Sequence, residues 1–494
     1  MVLVKLLAID LGASSGRLMQ AIYDGISLQL SEVHRFKNES VNINDGLYWD
    51  ILHLFQEIKV GIKKASEDDI PIQSISADTW GVDYAYLDKQ GDLLYNPHCY
   101  RDNRMSQYED IFYQLLAKEE LFKETGVQPS SINSVLQIFS DLQEKPHLRN
   151  IVKKIIFMPD LINYLLSDTL SNEYTICSTS GLLNAHTQDW SSRVFDALGI
   201  PNEWFQPVVK QGQLLRKLSP RITQELKITP FNVIAGASHD TAAATLAIPY
   251  TQIAGAAFIS CGTWSLIGCE VKEPILTASA YEAGLTNEGC FDGHYRLLKN
   301  TTGLWIIQEL KRDWSLKSED ISFAEMVTMA KEIENNHIFI NPNDVVFASP
   351  NNMEEKLFDY CKRTGQSLPD SKGHIIRIVL ESLAFAYRYT IEQLESVIGE
   401  RIHTIHMVGG GIQNQLLCQL TADFSKRKVV TGPVEASALG NVVAQLMAQG
   451  YLKDRQEAVA IIKASESTTE YMANEVNDLE SKYQQFKKIM RAGD

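Results

Sequence analysis

The two halves of the sequence carry the same order of predicted elements. In the first half a strand, a turn of small residues, a hairpin, a helix and a strand follow one another, at residues 4–10, 17–23, 27–36, 49–65 and 72–78. In the second half a strand, a turn of small residues, a strand, a long helix, a strand and a helix occur, at 255–271, 374–398, 402–408 and after Gly411. An order that occurs twice predicts two similarly built α/β domains.

The length of the chain sets the number of domains. Because 494 residues exceed what one hydrophobic core usually organises, we expect two domains with a cleft between them. Residues 231–249 are typical of a strand that runs into a helix rich in small residues, so we place the boundary there, with domains at 1–246 and 247–494. The charged amphipathic helix at 478–490 is expected to pack on one of the two domains, and the first domain is one of the two candidates.

Composition excludes several classes of protein. A formal net charge of −15 disfavours nucleic acid as a partner, because binding a phosphate backbone requires clustered Lys and Arg. No apolar window is long enough for a membrane span, and Asp10 stands where a signal peptide needs apolar side chains. The seven cysteines are scattered singly, which favours a reducing compartment. We therefore expect a cytoplasmic protein without membrane contact, and no obligate protein partner is evident.

The first turn is suited to binding phosphate. It consists of small residues, Gly12, Ala13, Ser14, Ser15 and Gly16. Such residues let backbone N–H groups and hydroxyls approach an anion closely, and Arg17 adds a positive charge. Asp10 cannot sit against a phosphate without a cation between them, which predicts Mg²⁺ held through water. The alternative is that these residues form only the glycine-rich turn of a hairpin and bind no ligand.

Two later loops extend this interpretation to a nucleotide. "SCGTWS", residues 260–265, repeats the strand exit, the glycine (Gly262) and a hydroxyl (Thr263). "MVGGGIQN" places Gly409, Gly410 and Gly411 after a strand, where a flat ligand could lie on the backbone and Asn414 could hydrogen-bond it. A tight strand-to-helix turn explains three glycines equally well. No Walker A loop and no dinucleotide-binding glycine pattern occurs in the sequence.

The stretch "SADTWGVDYAYLD", residues 76–88, could hold an acceptor molecule. It places Asp78, Trp80, Gly81 and Asp83 at a strand end, where an indole covers the C–H side of a sugar and a carboxylate accepts its hydroxyls. Further polar lining residues are expected at Arg101, Asp102, Arg104 and Asn300. Each of these residues alone is an ordinary turn or ion-pair residue, so the cluster carries the interpretation.

Asp240 is the predicted catalytic base. It follows His239 in "GASHDTAA" at the start of a helix, where free N–H groups favour an ionised carboxylate. A carboxylate there could accept the proton of an acceptor hydroxyl during phosphoryl transfer. The alternative is that Asp240 is only the N-cap of that helix.

A set of motifs in fixed order along nearly the whole chain resembles the FGGY family of carbohydrate kinases. The motifs are "AIDLGASSGR", "DTWGVDY", "YRDNR", "MPD", "ASHDTA", "SCGTWSL", "LKNTTGLW", "MVGGGIQN" and "GPVEASALGN". The resemblance implies a pair of ribonuclease-H-like domains of the actin-like ATPase type that close over ATP. With "GASSGR" and "DTWGVD" it implies transfer of the ATP γ-phosphoryl group to O1 of L-rhamnulose in L-rhamnose catabolism.

The resemblance also assigns roles by position. It implies ATP contacts at Ala13 to Arg17, Thr263, Gln308 and Gly409 to Gly411. It implies sugar contacts at Gly81, His239, Asp240, Thr241 and Asn300, with Asp240 as proton acceptor. The chain departs from many relatives at Asp160, where those relatives carry Lys, and no disulfide is carried over.

Two alternatives stay open on the sequence alone. A kinase for another ketose, such as L-fuculose or xylulose, differs by a few pocket contacts worth about 1–3 kcal/mol. An actin-like or chaperone-type ATPase would use the same nucleotide site as a switch, with no acceptor pocket.

Overall fold

The computed structural model describes residues 3–492, which form two compact units. Unit 1 contains the residues up to Pro249 together with Glu270–Leu297 and Ala436–Glu466. Unit 2 contains Tyr250–Cys269, Leu298–Glu435 and the residues from Ser467 onward. The division near Pro249 lies close to the expected boundary, but two later segments of the chain pack within unit 1.

Strands are numbered in chain order. They are β1 (Val4–Leu11), β2 (Ser15–Tyr23), β3 (Leu28–Lys37), β4 (Ser40–Ile43), β5 (Gly46–Trp49), β6 (Ile72–Thr79), β7 (Tyr84–Leu87), β8 (Lys154–Phe157), β9 (Asn172–Glu173), β10 (Leu183–Asn184), β11 (Asp189–Trp190), β12 (Val208–Val209), β13 (Gln213–Lys217), β14 (Asn232–Ala235), β15 (Ala256–Cys261), β16 (Trp264–Val271), β17 (Thr286–Gly289), β18 (Tyr295–Thr302), β19 (Thr404–Val408), β20 (Lys428–Thr431) and β21 (Glu470–Tyr471).

Helices follow the same convention. They are α1 (Ile51–Ala65), α2 (Glu109–Leu115), α3 (Lys118–Thr125), α4 (Ser134–Glu144), α5 (Leu148–Ile151), α6 (Met158–Ser167), α7 (Tyr174–Cys177), α8 (Ser192–Leu198), α9 (Pro220–Leu226), α10 (Asp240–Leu246), α11 (Ala278–Glu282), α12 (Trp305–Leu316), α13 (Phe323–Lys331), α14 (Met353–Arg363), α15 (Lys372–Ile398), α16 (Gln415–Ser425), α17 (Ala436–Ala448), α18 (Arg455–Ser465) and α19 (Leu479–Ala492). No helix among residues 3–492 combines the length and apolar character needed to cross a membrane.

The main sheet of unit 1 has the strand order β13, β14, β6, β1, β2, β3. Strands β1, β2 and β3 are antiparallel neighbours, whereas β1, β6 and β14 run parallel to one another. The carboxyl ends of these three parallel strands therefore lie at one edge of the sheet, the edge at which α/β proteins bind ligands. In this register Asp10 lies opposite Arg17 on one side and Asp78 on the other.

Most strands of the second large sheet belong to unit 2; its strand order is β17, β18, β16, β15, β19, β20, β21, and from β18 to β21 it repeats this arrangement. Its first strand, β15, is antiparallel to β16 and parallel to β19, and β19 is parallel to β20. The two units therefore share one topology, as the repeated order of elements in the sequence predicted.

Helix α1 illustrates how the pattern of apolar residues produces the packing in unit 1. Its buried residues recur at helical spacing, since Ile51, Leu54, Ile58 and Ile62 are all 1% exposed or less. Asp50 caps its first turn by accepting a hydrogen bond from the backbone N–H of His53. These side chains join the apolar core that also lies under β1 and β6, so the strands that carry Asp10 and Asp78 rest on a closely packed layer.

The predicted elements are confirmed, with one change in packing. Helix α19 matches the charged helix expected near 478–490, but it belongs to unit 2, whereas the sequence interpretation included packing on the first domain. There it contacts α15, because Glu480 accepts a hydrogen bond from Arg388 at 3.0 Å and Tyr483 donates one to Glu392 at 2.7 Å. All seven cysteines are buried free thiols.

Candidate functional site

Three carboxylates lie together at the carboxyl edge of the unit 1 sheet. Asp10 and Asp78 are register partners near the ends of β1 and β6, and β14 leads into α10, whose first residue is Asp240. Burial raises the pKa of Asp78 well above its ordinary value, and the negative charges of Asp10 and Asp240 raise it further. The charges of Asp10 and Asp240 that act on Asp78 therefore make this edge suited to a cation.

Asp78 is held in place by a residue distant in the sequence. Asn441 in α17 donates a hydrogen bond to Oδ2 of Asp78 at 2.6 Å and another to the backbone carbonyl of Ser76 at 3.2 Å. The other carboxylate oxygen of Asp78, Oδ1, is buried without a hydrogen-bond partner. An unpaired buried acceptor is costly, so the raised pKa of Asp78, which favours a protonated carboxyl, is consistent with its surroundings.

The first turn, between β1 and β2, brings Asp10 and Arg17 into contact. A guanidinium nitrogen of Arg17 donates to Oδ2 of Asp10 at 2.5 Å. The turn is closed by a hydrogen bond from the N–H of Gly12 to the carbonyl of Ser15 at 2.9 Å, and Asn38 donates to the carbonyl of Gly12. The predicted cation at Arg17 is present, with its charge shared with Asp10.

Not every small residue of that turn is available to a ligand. Ala13, Ser14 and Ser15 are partly or fully exposed. The prediction that Gly16 lines the phosphate-binding turn is corrected, because Gly16 is buried within β2 and a Cβ there would lie 2.2 Å from the ring of Phe36. Its missing side chain makes room for an aromatic ring of the core rather than for phosphate.

The prediction that the carboxylate of Asp83 accepts hydrogen bonds from sugar hydroxyls is also corrected. Asp83 is fully buried, and its Oδ2 accepts hydrogen bonds from the indole N–H groups of Trp49 at 2.6 Å and Trp80 at 2.9 Å. Gln137 donates to its Oδ1 at 3.2 Å. Burial raises the pKa of Asp83 to about 6, against these stabilising hydrogen bonds. Asp83 therefore orients two tryptophans.

Trp80 is likewise more enclosed than the sequence suggested. It is 6% exposed, and its ring lies 4.4 Å from that of Trp49, centroid to centroid. An indole packed in this way offers little surface to a sugar, so its predicted role of covering a sugar face is corrected to one of packing beneath the site.

Gly81 and Val82 form a strained turn beside His239. Val82 has a φ of +67°, which is an outlier for a β-branched residue. Its N–H is held by Thr179 Oγ1 at 3.2 Å and its carbonyl accepts from Ser134. A Cβ on Gly81 would lie 3.1 Å from Thr179 Oγ1 and 3.3 Å from His239 Nε2. Gly81 therefore lets the backbone approach Thr179 and His239 more closely than a residue with a Cβ would, and strain such as that of Val82 is typical of functional sites.

His239, Asp240 and Thr241 lie at the start of α10. The side chain of Asp240 is 33% exposed, and its Oδ1 is 3.5 Å from Nε2 of His239 and 3.1 Å from Oγ1 of Thr241. The N-cap of the helix is His239, and no side chain makes a capping hydrogen bond there. The alternative that Asp240 serves as the N-cap is therefore wrong.

In unit 2 the turn between β15 and β16 resembles the first turn. The N–H of Gly262 donates to the carbonyl of Trp264 at 2.8 Å, and the N–H groups of Gly303 and Trp305 donate to the carbonyl of Thr263. Oγ1 of Thr263 donates to the Gln308 side chain at 3.1 Å. Two of the predicted nucleotide residues, Thr263 and Gln308, are thus brought together.

The three-glycine loop packs against this turn within unit 2. Gly409 has a φ of +87°, and a Cβ on Gly411 would lie 2.3 Å from the sulfur of Cys261. Gly410 is exposed, with no atom within 4 Å of a Cβ position. Asn414 is partly a correction, because its Oδ1 already caps α16 by accepting from Leu417 N–H at 3.0 Å. The side-chain oxygen is therefore engaged, and only the amide nitrogen is left for a ligand.

Two further predicted sugar contacts lie on the surface. Arg101 in unit 1 is exposed, with its guanidinium 5.0 Å from the ring centroid of Tyr100. Arg104 is instead buried, bonded to Asp141 at 2.8 Å. Asn300 is exposed on β18 in unit 2.

Sequence reasoning left out several residues that build the site. Asn441, Thr179, Glu288 and Arg296 each touch a predicted site residue, but they are far from it in the sequence. Two local signals were a charged residue inside an apolar strand, Arg296 in "YRLL", and the motif "GPVEASALGN", which ends at Asn441. A charge at such a position is rare unless it is paired.

The chain matches profiles of a known family over most of its length. The profile described as the FGGY family of carbohydrate kinases, N-terminal domain, matches residues 5–247, and that of the C-terminal domain matches residues 257–449. A rhamnulokinase from Bacteroides thetaiotaomicron is 36% identical over 484 residues, covering 98% of this chain and 99% of that protein. One from Oceanobacillus iheyensis is 38% identical over 460 residues, covering 93% and 96%.

The fold is also that of a solved kinase. Plasmodium falciparum glycerol kinase with ADP superposes with a TM-score of 0.81 at 18% sequence identity, covering 99% of this chain and 98% of that one. At this identity the likeness concerns the fold alone, and it confirms the predicted two-domain α/β fold of the actin-like ATPase type.

Proposed function

Because the chain belongs to the FGGY family of carbohydrate kinases, we propose that it transfers the γ-phosphoryl group of ATP to O1 of L-rhamnulose, giving L-rhamnulose 1-phosphate and ADP. The observation that carries this proposal is the likeness to several rhamnulokinases, 36% to 38% identical over nearly the whole chain. We place the reaction in L-rhamnose catabolism. The seven free thiols suit a reducing compartment, which we propose is the cytoplasm.

Asp240 is proposed to accept the proton of the sugar hydroxyl. Its side chain is one-third exposed at the sheet edge and lies next to His239 and Thr241, so a hydroxyl can reach it. Phosphoryl transfer proceeds through a loose transition state, in which placement and charge neutralisation matter more than basicity. A carboxylate held rigidly at a helix start fits that requirement.

We propose that the two small-residue turns bind the phosphates of ATP. Exposed Ser14 and partly exposed Ser15 support this role in the first turn, and Thr263 with Gln308 supports it in the second. The glycines Gly409 and Gly410 next to the second turn would accept the adenosine, and Gly410 leaves its backbone uncovered, since no atom lies within 4 Å of its Cβ position. These contacts are drawn from the family resemblance and from the exposure of each residue.

Magnesium fits the chemistry of the sheet edge. The negative charges of Asp10 and Asp240 both act on the buried carboxyl of Asp78, and such a concentration of negative charge suits a further positive charge. Asp10 would hold Mg²⁺ through water, because this ion sheds its waters reluctantly. Bound there, it would supply charge neutralisation at the ATP phosphates.

Replacing Asp10 with asparagine is expected to weaken the response to Mg²⁺. The concentration of Mg²⁺ needed for half-maximal turnover should rise by about 10- to 100-fold, as for other groups that act on a metal through an intervening contact. Turnover measured over a Mg²⁺ titration checks this. The control is Asp196→Asn, which removes the same charge from an exposed position of α8. An unchanged midpoint in Asp10→Asn would exclude Asp10 from holding the metal.

Replacing Gly81 with alanine is expected to weaken sugar binding selectively. The added Cβ would occupy the space beside Nε2 of His239, and one misplaced methyl group in a pocket changes discrimination by about 10- to 200-fold. The KM for the sugar should rise by such a factor, while the KM for ATP and the melting temperature stay near the wild-type values. Initial-rate kinetics with either substrate varied measure both. A variant with normal sugar KM would remove Gly81 from the pocket.

The identity of the sugar is tested by release of ADP. A coupled assay would compare L-rhamnulose, L-fuculose, L-xylulose, D-xylulose and glycerol at matched concentrations, with a sample lacking sugar. We expect the highest kcat/KM for L-rhamnulose and little turnover without sugar. Equal kcat/KM for all five would defeat the assigned specificity, and hydrolysis independent of sugar would favour the ATPase switch.

A further inference from the structure

We infer that Arg296 is a positioning residue for phosphoryl transfer: it holds His239 as the neutral imidazole with its proton on Nε2, the nitrogen that faces Asp240. The inference rests on the proposed function, because it assigns a task to a residue behind the proposed catalytic base. It concerns unit 1 alone, which contains all the residues involved.

The contact is made by a fully buried guanidinium. Arg296 in β18 is 0% exposed, and its Nη2 lies 3.1 Å from Nδ1 of His239 and 2.9 Å from Oε2 of Glu288. Its Nε and Nη1 are buried without hydrogen-bond partners. A charge is seldom placed in a dry interior at this cost unless the remaining contacts serve a purpose.

The chemistry of arginine fixes the tautomer of His239. A guanidinium has only donors and does not lose its proton in proteins. At 3.1 Å from Nη2, Nδ1 must therefore be the acceptor, and its lone pair cannot carry a hydrogen. Oε2 of Glu288 is the other possible partner of Nδ1, but at 3.5 Å it is too distant for a good hydrogen bond. The single proton of the neutral ring is thus on Nε2.

The surroundings also keep the ring neutral. The ring of His239 faces Asp240 from α10, Glu288 from β17 and Arg296 from β18, and the backbone N–H of His239 donates to Thr175 Oγ1 in α7. Burial lowers the pKa of His239 most, and the positive charge of Arg296 lowers it further, against the two carboxylates.

A neutral Nε2–H donor matters for the base beside it. Nε2 lies 3.5 Å from Oδ1 of Asp240, and a Cβ on Gly81 would lie 3.3 Å from it. From there it can donate to a sugar oxygen while Asp240 accepts the proton of the reacting hydroxyl. A protonated imidazole would instead form an ion pair with Asp240 and reduce its ability to accept a proton. By keeping His239 neutral, Arg296 therefore leaves Asp240 able to accept a proton, although it does not touch Asp240 itself.

The tautomer can be read directly in the wild-type protein. Nitrogen-15 NMR of histidine-labelled protein distinguishes a protonated from an unprotonated ring nitrogen, and the His239→Asn variant identifies the signals of this residue among the eleven histidines. We expect Nε2 protonated and Nδ1 unprotonated at neutral pH. A proton on Nδ1, or a doubly protonated ring, overturns the inference without reference to any Arg296 variant.

Kinetics test the functional consequence. Arg296→Gln should lower kcat/KM for L-rhamnulose by about 10- to 100-fold, as expected when a group in the site loses its alignment. In a plot of kcat/KM against pH, activity falls at low pH when His239 becomes protonated. Removing the positive charge of Arg296 raises the pKa of His239, so this fall should occur at a pH higher by about 1 to 3 units. Arg296→Lys keeps the positive charge, so its kcat/KM should fall at the same acidic pH as in the wild type. Glu288→Gln removes a negative charge from the same cluster and should not move this fall to higher pH.

A double-mutant comparison separates positioning from a loss of packing. His239→Asn removes the Nε2 donor but keeps an acceptor for Arg296. If Arg296 acts through that donor, Arg296→Gln costs little further kcat/KM in the His239→Asn background. A full and additive loss there, or a kcat/KM of Arg296→Gln that falls at the same acidic pH as in the wild type, contradicts the inference. A wild-type enzyme that fails to phosphorylate L-rhamnulose contradicts the proposed function instead.

Discussion

Replacing Asp240 with asparagine is expected to lower kcat by about 10² to 10⁴, the range that a positioned general base contributes. Asparagine has nearly the same shape but cannot accept the proton of the sugar hydroxyl. ATP binding should change little, because the predicted nucleotide contacts lie in the turns and in the glycine loop. Pre-steady-state measurement of product formation, together with equilibrium binding of an ATP analogue, separates the two quantities.

Asp196→Asn serves as the matched control for this result, since it makes the same chemical change at an exposed position. It should retain wild-type kcat. A near-normal turnover in Asp240→Asn would eliminate Asp240 as the base. An equal loss in both variants would point to an effect of charge on the whole protein.

Replacing Gly440 with alanine is expected to destabilise unit 1 and to disturb catalysis with it. A Cβ at Gly440 in α17 would lie 1.8 Å from the backbone carbonyl oxygen of Ala243 in α10. Backbone cannot rotate away as a flexible side chain can, so the helices must separate. Overpacking typically costs about 1–3 kcal/mol and occasionally more, and here it should outweigh the gain of about 1 kcal/mol in helix propensity from glycine to alanine.

The functional loss has the same physical cause. Helix α10 begins at Asp240, and α17 carries Asn441, the hydrogen-bond partner of Asp78. A shift of about 1 Å in a reacting group can cost about 10²-fold in rate. Urea unfolding gives the change in free energy, and kcat gives the change in rate.

Gly410→Ala is the matched control for stability, because no atom lies within 4 Å of its Cβ position and its φ is not positive. It should leave the free energy of unfolding nearly unchanged. Wild-type stability in Gly440→Ala would mean that α10 and α17 do not pack as closely as described.

Local patterns in the sequence were sufficient for much of the fold. An apolar run predicted β1, alternating residues predicted β2 and β3, and helical spacing predicted α1 and α15. The repeated order of elements predicted that the two units share a topology, which the parallel pairing of β1 with β6 and of β15 with β19 bears out. These features depend on neighbours along the chain, so a single sequence contains the information.

The errors concern side chains whose partners are distant in the sequence. Asp83 was expected to face a sugar because its own neighbours are polar and aromatic, but Trp49 and Gln137 enclose it. Asp78 is held by Asn441, which is 363 residues away. No periodicity or turn signal encodes such a contact, since it arises only when the elements pack.

At the site itself, the position of Asp240 was predicted correctly, whereas the role of Gly16 was not. The position of Asp240 at a helix start follows from the local letters "SHDTAA" and was predicted. Gly16 belongs to the same run of small residues as Ser14, yet it faces Phe36 in the core. Composition marks a turn as permissive for a ligand, whereas the direction of each residue depends on strand register.

The position of the new phosphate ester is the most direct test of the proposed reaction. The purified protein would be incubated with ATP, Mg²⁺ and L-rhamnulose, and the product examined by proton-coupled phosphorus-31 NMR. A phosphate on O1 couples to the two protons of a CH₂ group and should give a triplet that appears as ATP is consumed. A doublet from an ester at a ring CH, or inorganic phosphate as the sole product, would contradict the account.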